Sequence, residues 1–444
     1  MLGYETGGTS KQIGINHFDL VRHRLNKTRT MTHLAKLRRN VNLLYRPDRR
    51  HRTGQRHLFC QFVLVMMGFT INFAHDLNHP QQGERAMSIS GVTEKTGIET
   101  RLMKAIQKPE AASGFKLGDV PIPEIGPNDV LIKVSLASIC GTDLHITNWD
   151  EWSASRIKPP MVYGHEFCGV VESVGSQVEN VAPGDFVSAE MHIPCDVCYQ
   201  CRIGKFHICE NVKIAGIDLD GCYAQFIKLP KRQVLKLPNT LTPEYGACLD
   251  SMGNAVHAVS KGDVSGKTVL VVGCGPIGLF SIRVAFALGA TRVYASDISP
   301  YRLDMAQKAG ATAVFDARDV VVSEAIKPLT NGLGVDVVLE MSGSGPALND
   351  AFKGLKLGGT VVLLGIPKGK VELDITENII FKEAKVLGVN GREMFQTWFL
   401  MLELLESGKL DIDFIITHRF PLEEFGKAIE LVAQGNSGKI LLEP

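Results

Sequence analysis

At 444 residues the chain has room for two or three domains with full cores, and its 45% hydrophobic and 21% charged content is that of a soluble globular enzyme. The formal net charge of +1 hides an asymmetry: residues 1–102 hold 16 Lys and Arg against 7 Asp and Glu, whereas residues 103–444 hold 32 against 40. That acidic balance argues against nucleic-acid binding by the larger part. Four of the ten cysteines lie within residues 195–209, which argues against a secreted disulfide framework.

In chain order, residues 1–57 are rich in Arg, His, Asn and Thr and show no sustained apolar period. An apolar run follows from Leu58 to Ala74, interrupted by Gln61, Thr70 and Asn72. It is at the lower edge of the roughly 20 residues that span a bilayer, and it starts too far from Met1 for a secretory signal. Residues 1–102 are therefore expected to be a basic, non-catalytic extension, largely disordered or the product of a mis-assigned start. Met103 would then be a natural initiator, and no stable membrane association is expected.

Residues 103–252 read as a mostly β, barrel-like domain. Asn128–Ser138 alternates apolar and polar residues like a half-buried strand, and glycines at 164, 169, 175 and 184 punctuate short β segments. Its loops carry the chemistry. Cys140-Gly-Thr142-Asp143-Leu-His145 and Gly164-His165-Glu166 supply a thiolate, an imidazole and a carboxylate, an open set that leaves a coordination position for substrate. Cys195, Cys198, Cys201 and Cys209, spaced C-x2-C-x2-C-x7-C, are enough thiolates to close a tetrahedral zinc site. Cys168, Cys222, Cys248 and Cys274 read as small core residues, His192 and His207 as surface or packing residues, and His257 as one that packs or caps a helix.

Residues 253–390 read as a dinucleotide-binding domain. The apolar run Lys267–Val272 leads into Gly273-Cys-Gly275-Pro-Ile277-Gly278 and then a buried helix. A second strand, Arg292–Ser296, ends at Asp297, about 20 positions on, where a carboxylate can accept hydrogen bonds from an adenosine ribose. Asp297 favours NAD over NADP, and Arg302 nearby tempers that preference because it could serve a phosphate. Further βα units follow at Gly334–Leu339 and Gly359–Leu364. From Gly391 the chain is expected to return to the first domain, completing it with about 391–444.

The combination of Cys-Gly-x-Asp-x-His, Gly-His-Glu and four-cysteine segments resembles the zinc-containing medium-chain alcohol dehydrogenases. Cys140–Trp152 and Gly391-Arg-Glu-Met-Phe-Gln-Thr-Trp398 narrow the resemblance to their threonine 3-dehydrogenase branch, over Met103–Pro444. The resemblance implies an α/β protein with a GroES-like mostly-β catalytic domain and a Rossmann doubly wound parallel sheet, located in the cytoplasm. It also implies two zinc ions per subunit, NAD, a homotetramer, and oxidation of the L-threonine C3 hydroxyl to 2-amino-3-oxobutanoate.

By resemblance Cys140, His165 and Glu166 hold the catalytic zinc and the four cysteines the structural one. Thr142 and His145 move the proton and Asp143 supports a ligand. Asp250 stands where the best-known alcohol dehydrogenases place a second cysteine ligand. Either carboxylate could complete the metal set, and the branch associates the Asp250 position with proton relay. Leu364, Gly365 and Ile366, with Val389 and Asn390, are expected at the nicotinamide end. Arg392 could clamp an amino-acid carboxylate or form an interdomain salt bridge. A polyol or 2,3-butanediol dehydrogenase is the nearest rival, and a zinc-ribbon nucleic-acid binder the rival from another class.

Overall fold

The structure is a computed structural model that describes residues 101–444. The expectations for residues 1–100 and the Leu58–Ala74 run lie outside the described residues.

The first half of the described chain is built on antiparallel strands. Leu102–Lys108 pairs with Lys116–Pro121 on one side and Met161–Val162 on the other. The larger sheet runs Val234–Lys236, Phe186–Ala189, Phe167–Val174, Asp129–Ser138, Lys439–Glu443, Ile416–Pro421, and Phe226–Pro230 also pairs with Asp129–Ser138. Along Asp129–Ser138, Lys133 and Ser135 face out while the apolar positions are buried. Register shifts between Leu131 and Ile132 and between Val134 and Leu136 bend it against Phe167–Val174. That bend serves a barrel-like closure over a core that includes Ile132, Tyr163, Phe167 and Tyr223.

The last strand of the chain joins this sheet, with Leu441 opposite Ser138 and Leu442 opposite Ala137. The C-terminus therefore lies beside the segment that leads to Cys140.

The second half is a six-stranded parallel sheet in the order Ala313–Asp316, Arg292–Asp297, Thr268–Val272, Val335–Glu340, Leu355–Leu363, Lys385–Gly388. Thr268–Val272 is buried at every position, which suits a central strand covered by helices on both faces. The strand order reverses between Thr268–Val272 and Val335–Glu340, and the crevice outside the carboxyl ends there is where such sheets bind dinucleotides.

The helix Pro243–Gly262 links the halves. Thr242 caps it, Pro243 occupies its first turn, and Gly246–Gly253 is buried without a break. The domain boundary expected at 252/253 falls inside this helix. Its apolar pattern continues through that point because the helix packs on Asp129–Ser138 and Phe167–Val174 at one end and on Pro276–Ala287 and the parallel sheet at the other. Among the described residues no helix is long and apolar enough to cross a membrane.

Candidate metal and cofactor sites

Strand Asp129–Ser138 delivers Cys140 to the N-terminus of the helix Gly141–Asn148, where Cys140 is the capping residue. Asp143, in the first turn, accepts the Cys140 backbone N–H at 2.9 Å and lies 2.6 Å from the Tyr223 hydroxyl. Gly164 adopts φ +95°, and a Cβ there would fall 2.3 Å from the Tyr223 ring, so only glycine lets the chain turn into His165 and Glu166. The Cys140 sulfur, a His165 ring nitrogen and a Glu166 carboxylate oxygen lie within 4.8 Å of one another.

The electrostatics of this pocket call for a cation. Burial disfavours the His165 imidazolium, yet Asp143 and Cys140 outweigh it and push the group up to about 10. Burial raises the carboxyls of Asp143 and Asp250, against the opposing pull of His165 and Arg392. Asp143 Oδ1, Glu166 Oε1 and Asp250 Oδ1 are buried without a hydrogen-bond partner. Orphaned anionic oxygens around a thiol and an imidazole fit a divalent zinc, with Cys140, His165 and Glu166 as its protein ligands. The set within 4.8 Å contains Glu166 and not Asp250, so in this conformation Glu166 is the carboxylate placed to complete it.

Thr142 Oγ1 lies 3.7 Å from the Cys140 sulfur. His145 stands on the same helix with its side chain 53% exposed, and its Nδ1 is 2.5 Å from Asp150 Oδ2. Thr142 thus sits beside the metal ligand and His145 at the solvent side.

Arg392 is placed differently from the substrate clamp that its amino-acid chemistry suggested. It is 1% exposed. Nε and an Nη donate to the two Glu190 oxygens at 2.9 and 2.6 Å. The other Nη donates to the Asp250 carbonyl at 3.1 Å and lies 2.7 Å from Asp250 Oδ2. With four of its five N–H groups so engaged, the guanidinium has no pair of donors left for a substrate carboxylate, and its salt bridges run to residues of 103–252 rather than between the two expected domains. Trp398 Nε1 donates to Glu190 Oε2 at 2.8 Å, and His192 Nδ1 is 2.7 Å from Glu190 Oε1. This places His192 inside the cluster rather than at the surface.

The second cluster is the four-cysteine lobe, whose sulfurs also lie within 4.8 Å of one another. Cys198 Sγ is 3.5 Å from Cys201 Sγ and 3.8 Å from Cys209 Sγ. A tetrahedron with Zn–S bonds of about 2.3 Å has edges of about 3.8 Å, so the donor set fits zinc closely. Backbone N–H groups of Val197 and Cys198 lower the Cys195 thiol to about 6, favouring the thiolate that zinc needs. All cysteines among the described residues are free thiols, and Cys168, Cys222, Cys248 and Cys274 are fully buried.

At the switch point of the parallel sheet, Gly273 has φ +92°, and a Cβ on it would meet Ser342 at 2.8 Å. Gly275 caps the helix Pro276–Ala287, with Ile277 in its first turn. A Cβ on Gly278 would fall 1.9 Å from the Gly273 carbonyl oxygen, so the turn closes only on glycine. Asp297 ends the neighbouring strand, and its Oδ2 accepts the Cys274 N–H at 2.7 Å. Its Oδ1 accepts from Ile298 and Ser299 at 2.8 and 2.9 Å, which leaves acceptor capacity on Oδ2. Arg302 lies on the next helix with its Nε buried and unpartnered.

Leu364 and Gly365 follow the strand Leu355–Leu363, and both backbone N–H groups donate to the Glu340 carbonyl at 3.0 Å. Ile366 is 89% exposed. Val389 N–H donates to the Leu363 carbonyl at 2.9 Å, which brings Val389 and Asn390 to the same carboxyl-end crevice.

Comparison with known proteins agrees with this architecture. Residues 126–239 match the alcohol dehydrogenase GroES-like domain, and residues 276–407 match the zinc-binding dehydrogenase family. An L-threonine 3-dehydrogenase of Bacillus velezensis is 46% identical over 343 residues, 77% of this chain and 99% of that protein. A zinc-binding dehydrogenase from Sinorhizobium meliloti 1021, solved with NADP, superposes with a TM-score of 0.72 at 34% identity, covering 78% of this chain and 100% of that one. An alcohol dehydrogenase from Escherichia coli CFT073, complexed with NADH, gives a TM-score of 0.72 at 26% identity, covering 77% and 99%.

The chain belongs to the zinc-binding medium-chain dehydrogenases, with a GroES-like domain and a Rossmann-type parallel sheet. Within them it stands with the L-threonine 3-dehydrogenases.

Sequence reasoning missed Glu190, Tyr223, Ser138 and Lys439, all of which touch the open site or its supports. The signal available for Glu190 was a lone charge in the mostly apolar stretch Phe186–Met191, which costs too much to bury unless it is paired, whereas Lys439, directly after Asn436-Ser-Gly438, carried no such signal.

Proposed function

We propose that this protein oxidises the C3 hydroxyl of L-threonine to 2-amino-3-oxobutanoate with NAD, as an enzyme of two domains. Residues 103–252, completed by about 391–444, form the catalytic domain, and residues 253–390 bind the dinucleotide. The observation that carries the reading is an open Cys140–His165–Glu166 set in a chain that also builds a glycine turn at the switch point of a parallel sheet and is 46% identical to an L-threonine 3-dehydrogenase.

When bound, zinc supplies Lewis-acid polarisation of the substrate hydroxyl, and NAD accepts the hydride at nicotinamide C4. Cys140, His165 and Glu166 would hold the metal, three protein ligands that would leave a position for substrate. Thr142 Oγ1, beside the sulfur, takes the hydroxyl proton, and His145, whose Nδ1 faces Asp150 Oδ2, passes it to solvent. Asp250 keeps Oδ1 turned inward as a further proton acceptor while Arg392 holds its Oδ2. The products are the ketone, NADH and one proton.

Asp297 favours NAD because a 2′-phosphate would meet a carboxylate, and Arg302 is the residue that would answer it. The protein is read as cytoplasmic and homotetrameric. The exposed edge strand Lys385–Gly388, with Ile380 and Phe381 beside it, supports subunit contact.

The test is a nicotinamide-reduction assay across L-threonine, D-threonine, L-serine and 2,3-butanediols with NAD and NADP, zinc being counted in parallel and mass measured by light scattering. Preference for L-threonine and NAD with two zincs per chain is expected. Preference for a neutral vicinal diol would transfer the protein to the butanediol dehydrogenases.

A further inference from the structure

The last strand brings a buried ammonium to the back of the open site. Lys439 and Glu166 are each 1% exposed, lie 273 residues apart in sequence, and form an ion pair through Glu166 Oε2. Ser138 Oγ contacts the same oxygen. The pair is fixed from both sides: Lys439 Nζ donates to the Ile139 carbonyl at 3.1 Å, and Ser138 Oγ lies 2.9 Å from the Ala247 carbonyl. Oε1, the other oxygen, has no hydrogen-bond partner.

We propose that Lys439 is a positioning residue which, with Ser138, holds Glu166 Oε2 so that the carboxylate offers the metal a single, weakened oxygen. The inference rests on the zinc reading of the Cys140–His165–Glu166 set. An ammonium on the distal oxygen draws charge from the carboxylate and prevents it from turning both oxygens to a cation. A ligand so restrained would bind the metal through one oxygen only and leave the remaining face to the substrate hydroxyl. A merely structural role for Lys439, as counter-charge to a buried carboxylate, predicts the opposite sign on metal affinity when Lys439 is removed.

The experiment uses full-length holoenzyme in which cobalt replaces the open-site zinc, with visible absorption, chelator competition and steady-state kinetics read on each variant. Lys439→Met is expected to bind cobalt more tightly, because the carboxylate regains the charge the ammonium drew off, and by about tenfold, the size of effect an outer-shell partner has on a metal. Its visible bands should weaken as the coordination number rises, with KM for the alcohol increased and kcat reduced. Ser138→Ala should move each reading the same way by less, and Lys439→Arg should keep the wild-type spectrum.

In a Glu166→Gln background, Lys439→Met should leave the spectrum unchanged, because the effect travels through the carboxylate. Weaker cobalt binding by Lys439→Met with an unchanged spectrum would overturn the proposal. Should Lys439→Met fail to fold, a Ser138→Ala spectrum identical to wild type would overturn it equally. Wild-type protein that holds a single metal per chain would sink the zinc reading itself, a result distinguishable from either.

Discussion

Glu190 shows how a single side chain can carry much of a site's order. Burial alone would raise its carboxyl, but Arg392 and His192 outweigh burial and hold it well below the usual carboxylate range. A folded value below the unfolded value of about 4.3 means the pair stabilises fully above that pH, and the stabilisation is lost as pH falls further. At pH 7, Glu190→Gln should cost about 3–5 kcal/mol in denaturant unfolding, since it leaves Arg392 buried with half its partners gone. The gap between wild type and variant should narrow below about pH 4, and a gap that stays constant to pH 3 would contradict the ion-pair account. His165 belongs to the same scale. His165→Asn should remove one zinc per chain and lower turnover by more than about a hundredfold, while the four-cysteine zinc stays bound. The ligand identities were legible as residue types at short spacing. The restraints on them were not, because Arg392 reaches Glu190 across 202 residues.

Among the elements, the strand–turn–helix from Thr268 to Ala287 was the easiest to read. Its glycines follow from local sterics: a Cβ at Gly278 would collide with the Gly273 carbonyl, and one at Gly273 with Ser342. Gly278→Ala should raise the KM for NAD at least tenfold, roughly the loss of one well-made phosphate contact, with kcat at saturation less affected. An unchanged KM would mean that the turn does not contact the cofactor. The central helix Pro243–Gly262 was harder. Its first half lies on the β domain and its second half on the parallel sheet, so the hydrophobic pattern never breaks where a boundary was expected. Periodicity reports that a face is buried and is silent about what buries it.

At the scale of the whole molecule, the two metal clusters divide the work. The four-cysteine lobe is closed and lies outside the open set, so Cys198→Ser should lower the melting temperature and impair assembly while the folded fraction keeps its KM for substrate. Full stability with two zincs still bound would refute that division, and zinc analysis beside a thermal melt decides it. The sequence by itself determined the donor sets, the glycine turn and the parallel βα order, because each depends on residues within a few positions of one another or on repeated local periodicity. Only the tertiary structure decided that Arg392 braces Asp250 and Glu190 instead of facing substrate, and that the C-terminal strand lays Lys439 against Glu166. Those contacts depend on which strands lie side by side and in what register, and no local pattern in the chain encodes a pairing such as Leu441 with Ser138.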